Sequence, residues 1–386
     1  MKAGSSGGVR GKRVAFAAAG IVLGLAAAAA IVEIVARVIG LEPGGVPMRR
    51  VDILENGRFV TAATWGTAPV KRASPFPEVR NGEYIPGLTF RFVYADNPRG
   101  YFDAGNALVN RINSHGLRGD DFAPRKPAGT VRILGVGDSF TFGAGVREED
   151  TFLSRLERDL NAASPGPPYE VINCGVASYD TADEVTYLEK RWLDLEPDVV
   201  LLVFVINDAY DDAVFGPLHR GYVEGVTRLV ESRQVYGSRF LAWALDHYWR
   251  AKMGRETREI YLSQFTDDPR IEGHDWEDCK RGFERARDLT RARGVKLAIV
   301  IFPELHSLDA YPFEVLHRIA RTEAERLGIP VLDLLPAFRG LSAEELWVHP
   351  TDHHPNEAGH AVAADAIARF LRDPRNGMLD PVSGGD

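Results

Sequence analysis

Two distant segments of the chain carry residue types that together could perform nucleophilic chemistry. Residues 133–142, ILGVGDSFTF, place the pair Asp138-Ser139 directly after an uninterrupted apolar stretch. The segment HPTDHHPNEAGH, far along the chain, contains Asp352, His353 and His354. A serine hydroxyl is a poor nucleophile until a neutral imidazole takes its proton and a carboxylate holds that imidazole in the correct tautomer. The sequence therefore contains the three groups that an activated serine requires.

Acyl transfer through a serine also needs hydrogen-bond donors directed at the oxygen of the tetrahedral intermediate. The backbone N–H groups of Ser139 and Gly175 and the side-chain amide of Asn207 are candidates, because each of these residues ends or follows an apolar run. We predict that these three residues form an oxyanion hole.

A parallel sheet is the element that would bring these residues together. Five apolar runs alternate with amphipathic helical segments, and they read VRILGVGD, YEVINCG, DVVLLVFVIND, VKLAIVIFP and IPVLDLL. Strands that are apolar throughout and separated by amphipathic helices indicate a parallel sheet covered on both faces. This predicts an α/β fold, a three-layer α/β/α sandwich with a five-stranded parallel sheet. The crevice of such a sheet lies beyond the carboxyl ends of its strands.

Four short motifs resemble, in order, the blocks of the SGNH, or GDSL-type, hydrolase family. They are GDSF at Ser139, Gly175 in NCGVAS, Asn207 in VIND, and DHHPN at His354. The resemblance implies a flavodoxin-like fold and the hydrolysis or transfer of acyl esters through an acyl-serine. It also implies that Ser139 is the nucleophile, His354 the general base and Asp352 its orienting carboxylate, with Ser139, Gly175 and Asn207 as the oxyanion hole.

Two positions depart from the usual pattern of the family. Its third block commonly reads G-x-N-D, and Val205 stands here where that glycine would be. Its last aspartate often precedes the histidine by three residues, whereas Asp352 precedes His354 by two. His353 is the alternative base, and His354 is favoured because it directly precedes a Pro-Asn pair.

A metal site is the main competing interpretation, because five potential ligands lie close together: His349, Asp352, His353, His354 and His360. The sequence has no HExxH, however, and a proline turn followed by a helix start would direct these side chains apart. A dinucleotide loop lacks its third glycine, and no Walker loop is present. We therefore predict a site with no metal and no cofactor.

The N-terminal segment predicts a membrane anchor. Residues 14–32 carry no charge and follow four basic residues. At about 1.5 Å per residue they would extend roughly 28 Å, which is close to the thickness of the hydrocarbon core. The basic residues predict a cytoplasmic N-terminus and a periplasmic or extracellular catalytic domain. The alternative is a secreted protein, since the small residues Ala28-Ala29-Ala30 would suit signal cleavage.

The remaining domain boundaries follow from composition. Residues 1–40 are predicted to be the basic tip and transmembrane signal anchor, and residues 41–130, rich in Gly, Pro, Asn and Arg, an irregular lead-in with short strands. The hydrolase domain is predicted over 131–375, with an aromatic-rich helical insertion at about 211–270. Residues 376–386 are a C-terminal tail. Three polar residues of the lead-in are interpreted as solvated loop residues: Asn113, His115 and Arg118.

Composition limits the partners. The formal net charge of −8 gives no basic excess for nucleic acid. Cys174 and Cys279 are too far apart for a CxxC pair.

We predict an extracytoplasmic serine esterase that binds the membrane through its N-terminal helix and hydrolyses an O-acyl ester, for example an acetyl group on a glycan. The alternatives are an O-acyltransferase using the same acyl-serine and a non-catalytic glycan-binding or assembly protein. The oligomeric state is left open.

Overall fold

The computed structural model describes residues 7–41, 48–63, 68–162, 166–209, 237–264, 276–350 and 352–379. The chain divides into two compact units. Unit 1 comprises Met1–Gly45 and His219–Gly254, and unit 2 comprises Val46–Leu218 and Arg255–Asp386.

Helices and strands are labelled in chain order within the described residues. The helices are α1 (Gly7–Val38), α2 (Ser139–Phe142), α3 (Phe152–Ala162), α4 (Thr181–Lys190), α5 (Arg239–Gln264), α6 (Trp276–Ala292), α7 (Glu314–Arg326), α8 (Leu335–Phe338) and α9 (Glu357–Arg372). The strands are β1 (Met48–Glu55), β2 (Arg58–Ala63), β3 (Lys71–Arg72), β4 (Glu83–Tyr84), β5 (Thr89–Tyr94), β6 (Ala107–Arg111), β7 (Val131–Gly137), β8 (Tyr169–Gly175), β9 (Val199–Val205), β10 (Lys296–Phe302), β11 (Val331–Asp333), β12 (Trp347–His349) and β13 (Asp352–Pro355).

Unit 1 contains the long apolar helix α1. Residues Val14–Val38 are long and apolar enough to cross a membrane. The side chains of Phe16 and Leu23 are 79% and 70% exposed, so the helix does not serve as a core element of the folded chain. The predicted N-terminal helix of membrane-spanning length is thus present.

The centre of unit 2 is a five-stranded parallel sheet with the order β11-β10-β9-β7-β8. Every residue of the central strand β9 is buried, which explains why its sequence is apolar throughout. Helix α3 packs against α9, and α4 packs against α6. The predicted α/β/α architecture with a five-stranded parallel sheet is confirmed.

The register of the sheet aligns the strand ends that carry the predicted site. Gly137 at the end of β7 pairs with Gly175 at the end of β8. Val205 at the end of β9 pairs with Phe302 at the end of β10. Val205, which replaces the usual glycine of the third block, is fully buried in regular strand, so β9 continues without a break to the residue before the next turn.

The lead-in, predicted to be irregular with short strands, contains strands that are joined in a four-stranded antiparallel sheet with the order β2-β1-β5-β6. Phe90, Phe92 and Tyr94 alternate along β5 and are all buried. Arginines and turn residues interrupt the apolar pattern of these strands, so the pattern alone does not predict that they form one sheet. The interpretation of the polar lead-in residues as solvated is wrong for Asn113 and Arg118, which are buried.

Parts of two predicted segments fall outside the described residues. Within the predicted insertion at 211–270, the structure describes 237–264, most of which form α5, whereas 211–236 and 265–270 lie outside it. Of the predicted tail, 380–386 lie outside as well. Both cysteines are described, both are buried, and neither forms a disulfide.

Candidate active site

The nucleophile candidate lies where β7 turns into the short helix α2. Ser139 is the first residue of this helix, and Asp138 caps it by accepting a hydrogen bond from the backbone N–H of Phe140 at 2.8 Å. The first residues of a helix have backbone N–H groups without acceptors inside the helix. The Ser139 N–H therefore has no acceptor within α2.

Strand β13 brings the other two residues of the predicted triad to this hydroxyl. The Nε2 atom of His354 is 2.9 Å from Ser139 Oγ, and its Nδ1 atom is 2.5 Å from Asp352 Oδ1. Residues two apart in a strand share a face, so the two-residue spacing places Asp352 and His354 on the same side. His353 lies on the other face, and its ring stacks on Trp347 at a centroid distance of 4.0 Å.

The charges of His354 and Asp352 shift the pKa of both residues. Burial favours the neutral ring, but the Asp352 carboxylate, with smaller contributions from Asp138 and Glu304, outweighs burial and raises the pKa of His354 to about 9. Burial would raise the pKa of Asp352, but the neighbouring His354 ring holds it below its usual value. Asp352 is therefore a carboxylate at neutral pH and favours the imidazolium that forms when the serine is deprotonated.

Tyr94 from the antiparallel sheet supports Asp352. Its hydroxyl is buried and hydrogen-bonded to the Asp352 carboxylate, and both burial and that negative charge raise the pKa of Tyr94 well above its usual value. The tyrosine is thus a permanent neutral donor at the carboxylate. Strand β5, which precedes the predicted hydrolase domain, contributes to the site through this contact.

Asn207 follows β9 and is held by Asp138. Its Nδ2 atom donates to Asp138 Oδ2 at 2.9 Å, and the Asp138 side chain is completely buried. An amide nitrogen has two hydrogens, so one remains for a ligand when Asp138 accepts the other. Asp138 was not among the predicted site residues, although it precedes Ser139 directly. In the structure Asp138 links the nucleophile turn to Asn207 through two hydrogen bonds, one from Phe140 N–H and one from Asn207 Nδ2.

Gly175 occupies the predicted position at the end of β8, but its N–H donates to Asn173 Oδ1 at 2.9 Å. Its role as an oxyanion donor stays a prediction. The structure gives a separate reason for a glycine here, since a Cβ atom would lie 2.1 Å from the backbone nitrogen of Phe142. A side chain would push β8 away from the nucleophile helix.

Arg118, for which the sequence predicts a solvated position, is instead buried and contacts the loop after the nucleophile helix. Its guanidinium donates to the carbonyl oxygens of Phe142, Gly143 and Val146, each at 2.6 Å. Gly143 has a φ of 81°, a conformation that favours glycine. The buried arginine thus satisfies three carbonyls of a tight turn that begins four residues after Ser139.

Glu304 is a carboxyl group of the site that the sequence analysis missed. It lies two residues beyond the end of β10, and its Oε1 atom accepts a hydrogen bond from the Tyr261 hydroxyl at 3.4 Å. Burial raises the pKa of Glu304 to about 7, against the opposing effect of His354. Its position just after an apolar strand is the signal that led to Ser139, Gly175 and Asn207, and it could have led here too.

The histidine cluster that suggested a metal site is dispersed. His349 Nε2 lies 2.6 Å from Asp96 Oδ1, and His360 Nδ1 accepts from the backbone N–H of Phe152 at 3.1 Å. Among the described residues, no group of three or more His, Cys, Asp or Glu side chains is arranged to hold a metal ion.

We expect Asn207→Ala to lower kcat by about 10²–10³-fold with a smaller effect on KM, because an oxyanion donor acts mainly in the transition state. Steady-state kinetics on a soluble acetyl ester would measure both parameters. Asn161→Ala, which changes an exposed asparagine of α3, is the matched control and should leave both unchanged. A change in KM alone would show that Asn207 binds the substrate in its ground state.

The pH dependence should reflect the raised pKa of His354. Because only the neutral imidazole accepts the serine proton, kcat/KM should rise with pH through a midpoint well above 6.5 and approaching 9. Glu304→Gln removes one of the negative charges that favour the imidazolium, so it should move this midpoint to lower pH. Glu344→Gln, at an exposed position, is the control that should not move it. A wild-type midpoint at or below 6.5 would contradict the dominance of the Asp352 charge.

Comparison with known proteins gives one family match and several structural neighbours. The GDSL-like lipase/acylhydrolase family matches residues 136–362. No curated protein matches the chain. A lipase/acylhydrolase from Enterococcus faecalis is 17% identical, with 65% of this chain and 98% of that chain covered and a TM-score of 0.38.

Two further neighbours are esterases. A catalytic mutant of an acetylxylan esterase from Geobacillus stearothermophilus is 17% identical, with 63% of this chain and 94% of that chain covered and a TM-score of 0.40. A two-domain esterase active on acetylated mannans, crystallised with mannopentaose, is 17% identical, with 67% of this chain and 53% of that chain covered and a TM-score of 0.39.

Proposed function

The chain belongs to the GDSL-like lipase/acylhydrolase family, and from this premise we propose that it is a membrane-anchored serine esterase whose catalytic site faces away from the cytoplasm. It is a serine hydrolase that acts on ester bonds. The observation that carries the assignment of its site is the continuous hydrogen-bonded series from Ser139 Oγ through the His354 ring to Asp352.

The reaction follows from the geometry of this series. Ser139 Oγ attacks the carbonyl carbon of the ester while His354 Nε2 takes the hydroxyl proton. The His354 imidazolium is stabilised by Asp352 and then gives its proton to the leaving alcohol as the C–O bond breaks. A water molecule, deprotonated by His354, then attacks the carbonyl carbon of the acyl-serine. As the bond from that carbon to Ser139 Oγ breaks, His354 returns the proton to Oγ, and the carboxylic acid and the free Ser139 hydroxyl result.

The negative oxygen of each tetrahedral intermediate needs donors that are already in place. The Ser139 N–H at the start of α2 and the free hydrogen of the Asn207 amide are the donors that the geometry supports best. Asp138 holds both elements, since it caps α2 and accepts from Asn207. The Gly175 N–H would be a third donor if it donated to the substrate oxygen instead of to Asn173 Oδ1.

Labelling with a fluorophosphonate, which reacts with activated serines, tests the catalytic proposal. The full chain should be labelled on Ser139, as located by peptide mass spectrometry, and Ser139→Ala should not be labelled. Lack of labelling together with lack of activity on short-chain esters, long-chain esters and acetylated glycans would overturn the proposal in favour of a non-catalytic binding protein.

The proposed substrate is an O-acyl ester outside the cytoplasm, for example an acetyl group on a glycan, and this follows from the proposed location. Product analysis with acetylated glycans would separate hydrolysis from transfer. Free acetate without new acylated sugar indicates an esterase, whereas acetylated acceptor sugar indicates a transferase that uses the same acyl-serine.

The uncharged stretch of α1 and the basic residues before it support the proposed topology. A reporter that is active only outside the cytoplasm should be active when fused after residue 386. The intact mass of the membrane-bound protein should include residues 1–30, because an anchor is retained and a signal is cleaved. Cytoplasmic localisation of the fusion would overturn the topology and the glycan substrate together.

A further inference from the structure

Within unit 1, the first turn of α5 is hydrogen-bonded to Glu33, near the C-terminal end of α1. The carboxylate of Glu33 accepts hydrogen bonds from the backbone N–H groups of Arg239 and Phe240 at 3.0 and 3.2 Å and from the Ser238 hydroxyl at 2.8 Å. Ser238 Oγ in turn accepts from the backbone N–H of Leu241 at 3.1 Å. Together they satisfy the free N–H groups of the first turn of α5.

Glu33 occupies a defined depth if α1 spans a membrane. It is the first charged residue after the uncharged stretch 14–32, whose length of roughly 28 Å equals about the thickness of the hydrocarbon core. Glu33 is therefore at the boundary between the hydrocarbon and the headgroups. Its ion pair with Arg37, at 2.7 Å, and its contacts with α5 stabilise a carboxylate at that depth. The first turn of α5 must then begin at the same boundary.

One exposed face of α5 changes from apolar to charged along its length. Positions 241, 248, 255 and 259 are separated by seven, seven and four residues, so they share a face, and all four are exposed. The first two are Leu241 and Tyr248, which are 51% and 57% exposed. The last two are Arg255 and Glu259. The apolar part of this face thus lies in the N-terminal half of α5, whose first turn contacts Glu33.

The aromatic residues of the same half have the composition of an interfacial segment. Phe240 is 39% exposed, and Trp243 and Trp249 are half-buried. Tryptophan and tyrosine are enriched at the level of the lipid headgroups, where an apolar ring with a polar edge is stable. Tyr248 lies on that exposed face and Phe240 and Trp249 flank it. Trp243 lies on the opposite side of the helix, about 200° from Leu241. The exposed rings on and beside the face suit a lipid surface.

We propose that residues 239–251 of α5 lie in the headgroup region of the membrane, with the Leu241 and Tyr248 face against lipid, as a second membrane contact beside the α1 span. This inference rests on the proposed anchor. Interfacial helices of this kind bury their apolar face about 5–10 Å into the boundary between headgroups and acyl chains. Beyond residue 251 the same face carries the charged residues Arg255 and Glu259, and the proposed lipid contact ends there.

Nitroxide labels on single introduced cysteines test this in the full chain, reconstituted in bilayer discs of phosphatidylcholine and phosphatidylglycerol. Leu241→Cys and Tyr248→Cys report the proposed face, and Glu259→Cys is the matched control on the same side of the same helix. Leu23→Cys reports the span. The native cysteines are buried, and the chain without an introduced cysteine checks that they stay unlabelled. Ester hydrolysis by each labelled variant checks its fold.

Accessibility to oxygen, which dissolves in lipid, and to a water-soluble nickel complex distinguishes the environments. Labels at 241 and 248 should show an oxygen-to-nickel ratio severalfold above that at 259 and approaching that at 23. A ratio at 241 and 248 equal to that at 259 would overturn the inference. Low accessibility to both reagents would also overturn it, because protein would then cover the face. An oxygen-to-nickel ratio at 23 as low as that at 259 would overturn the proposed anchor itself. The label at 23 thus distinguishes failure of the anchor from failure of the α5 inference.

Discussion

Ser139→Ala and His354→Ala should each lower kcat on ester substrates by about 10⁴-fold or more, because each removes a member of one chemical unit. Without Ser139 there is no nucleophile to form the acyl intermediate. Without His354 the hydroxyl that lies 2.9 Å from Nε2 keeps its proton. Kinetics with a short-chain ester, together with circular dichroism to show that the variants fold, would measure the effect.

The double variant gives the sharper result. If the two residues act as a unit, Ser139→Ala/His354→Ala should be little slower than either single variant, since the second substitution removes nothing that still functions. Ser342→Ala, at an exposed serine, and His353→Ala are the matched controls. The first should be silent, and the second should retain most of the activity because His353 faces Trp347. Multiplying effects in the double variant would show that the two residues act independently.

The parallel sheet could be predicted because its strands are buried on both faces. An apolar run such as Val199–Val205 has few alternatives, and the polar residues that follow such runs must meet at one edge of the sheet. The same logic applied to β10 would have indicated Glu304. The two-residue spacing between Asp352 and His354 was harder to interpret from the sequence. It places both side chains on one face only because Asp352–Pro355 is a strand.

The supporting residues from the lead-in could not be predicted, because their partners are remote in sequence. Nothing near Tyr94 indicates that its hydroxyl meets Asp352, and nothing near Arg118 indicates three carbonyl oxygens of the turn after Phe142. Both residues lie in a segment whose strands carry arginines and adjoin turn residues. Their positions depend on how the antiparallel sheet packs, which local patterns do not determine.

Asp352→Asn should lower kcat by about 10³–10⁴-fold while leaving KM nearly unchanged. An amide in place of the carboxylate can still contact Nδ1, but it can no longer hold the charge of the imidazolium and can stabilise the wrong tautomer of the ring. The 2.5 Å contact between Nδ1 and Asp352 Oδ1 is the geometric basis for this expectation. The same substitution removes the main charge that raises the pKa of His354, so the residual activity should have a lower pH midpoint.

Tyr94→Phe provides the matched control, because it keeps the Asp352 carboxylate and removes the hydroxyl that is hydrogen-bonded to it. We expect a loss of roughly tenfold or less, since a single neutral hydrogen bond is worth about 0.5–1.5 kcal/mol. Asp352 would then bind the ring less rigidly, but its charge would remain. If Asp352→Asn retained wild-type kcat while His354→Ala was inactive, another carboxylate would have to support the ring. Glu304, whose charge also acts on His354, would be the first to test, through Glu304→Gln in the Asp352→Asn background.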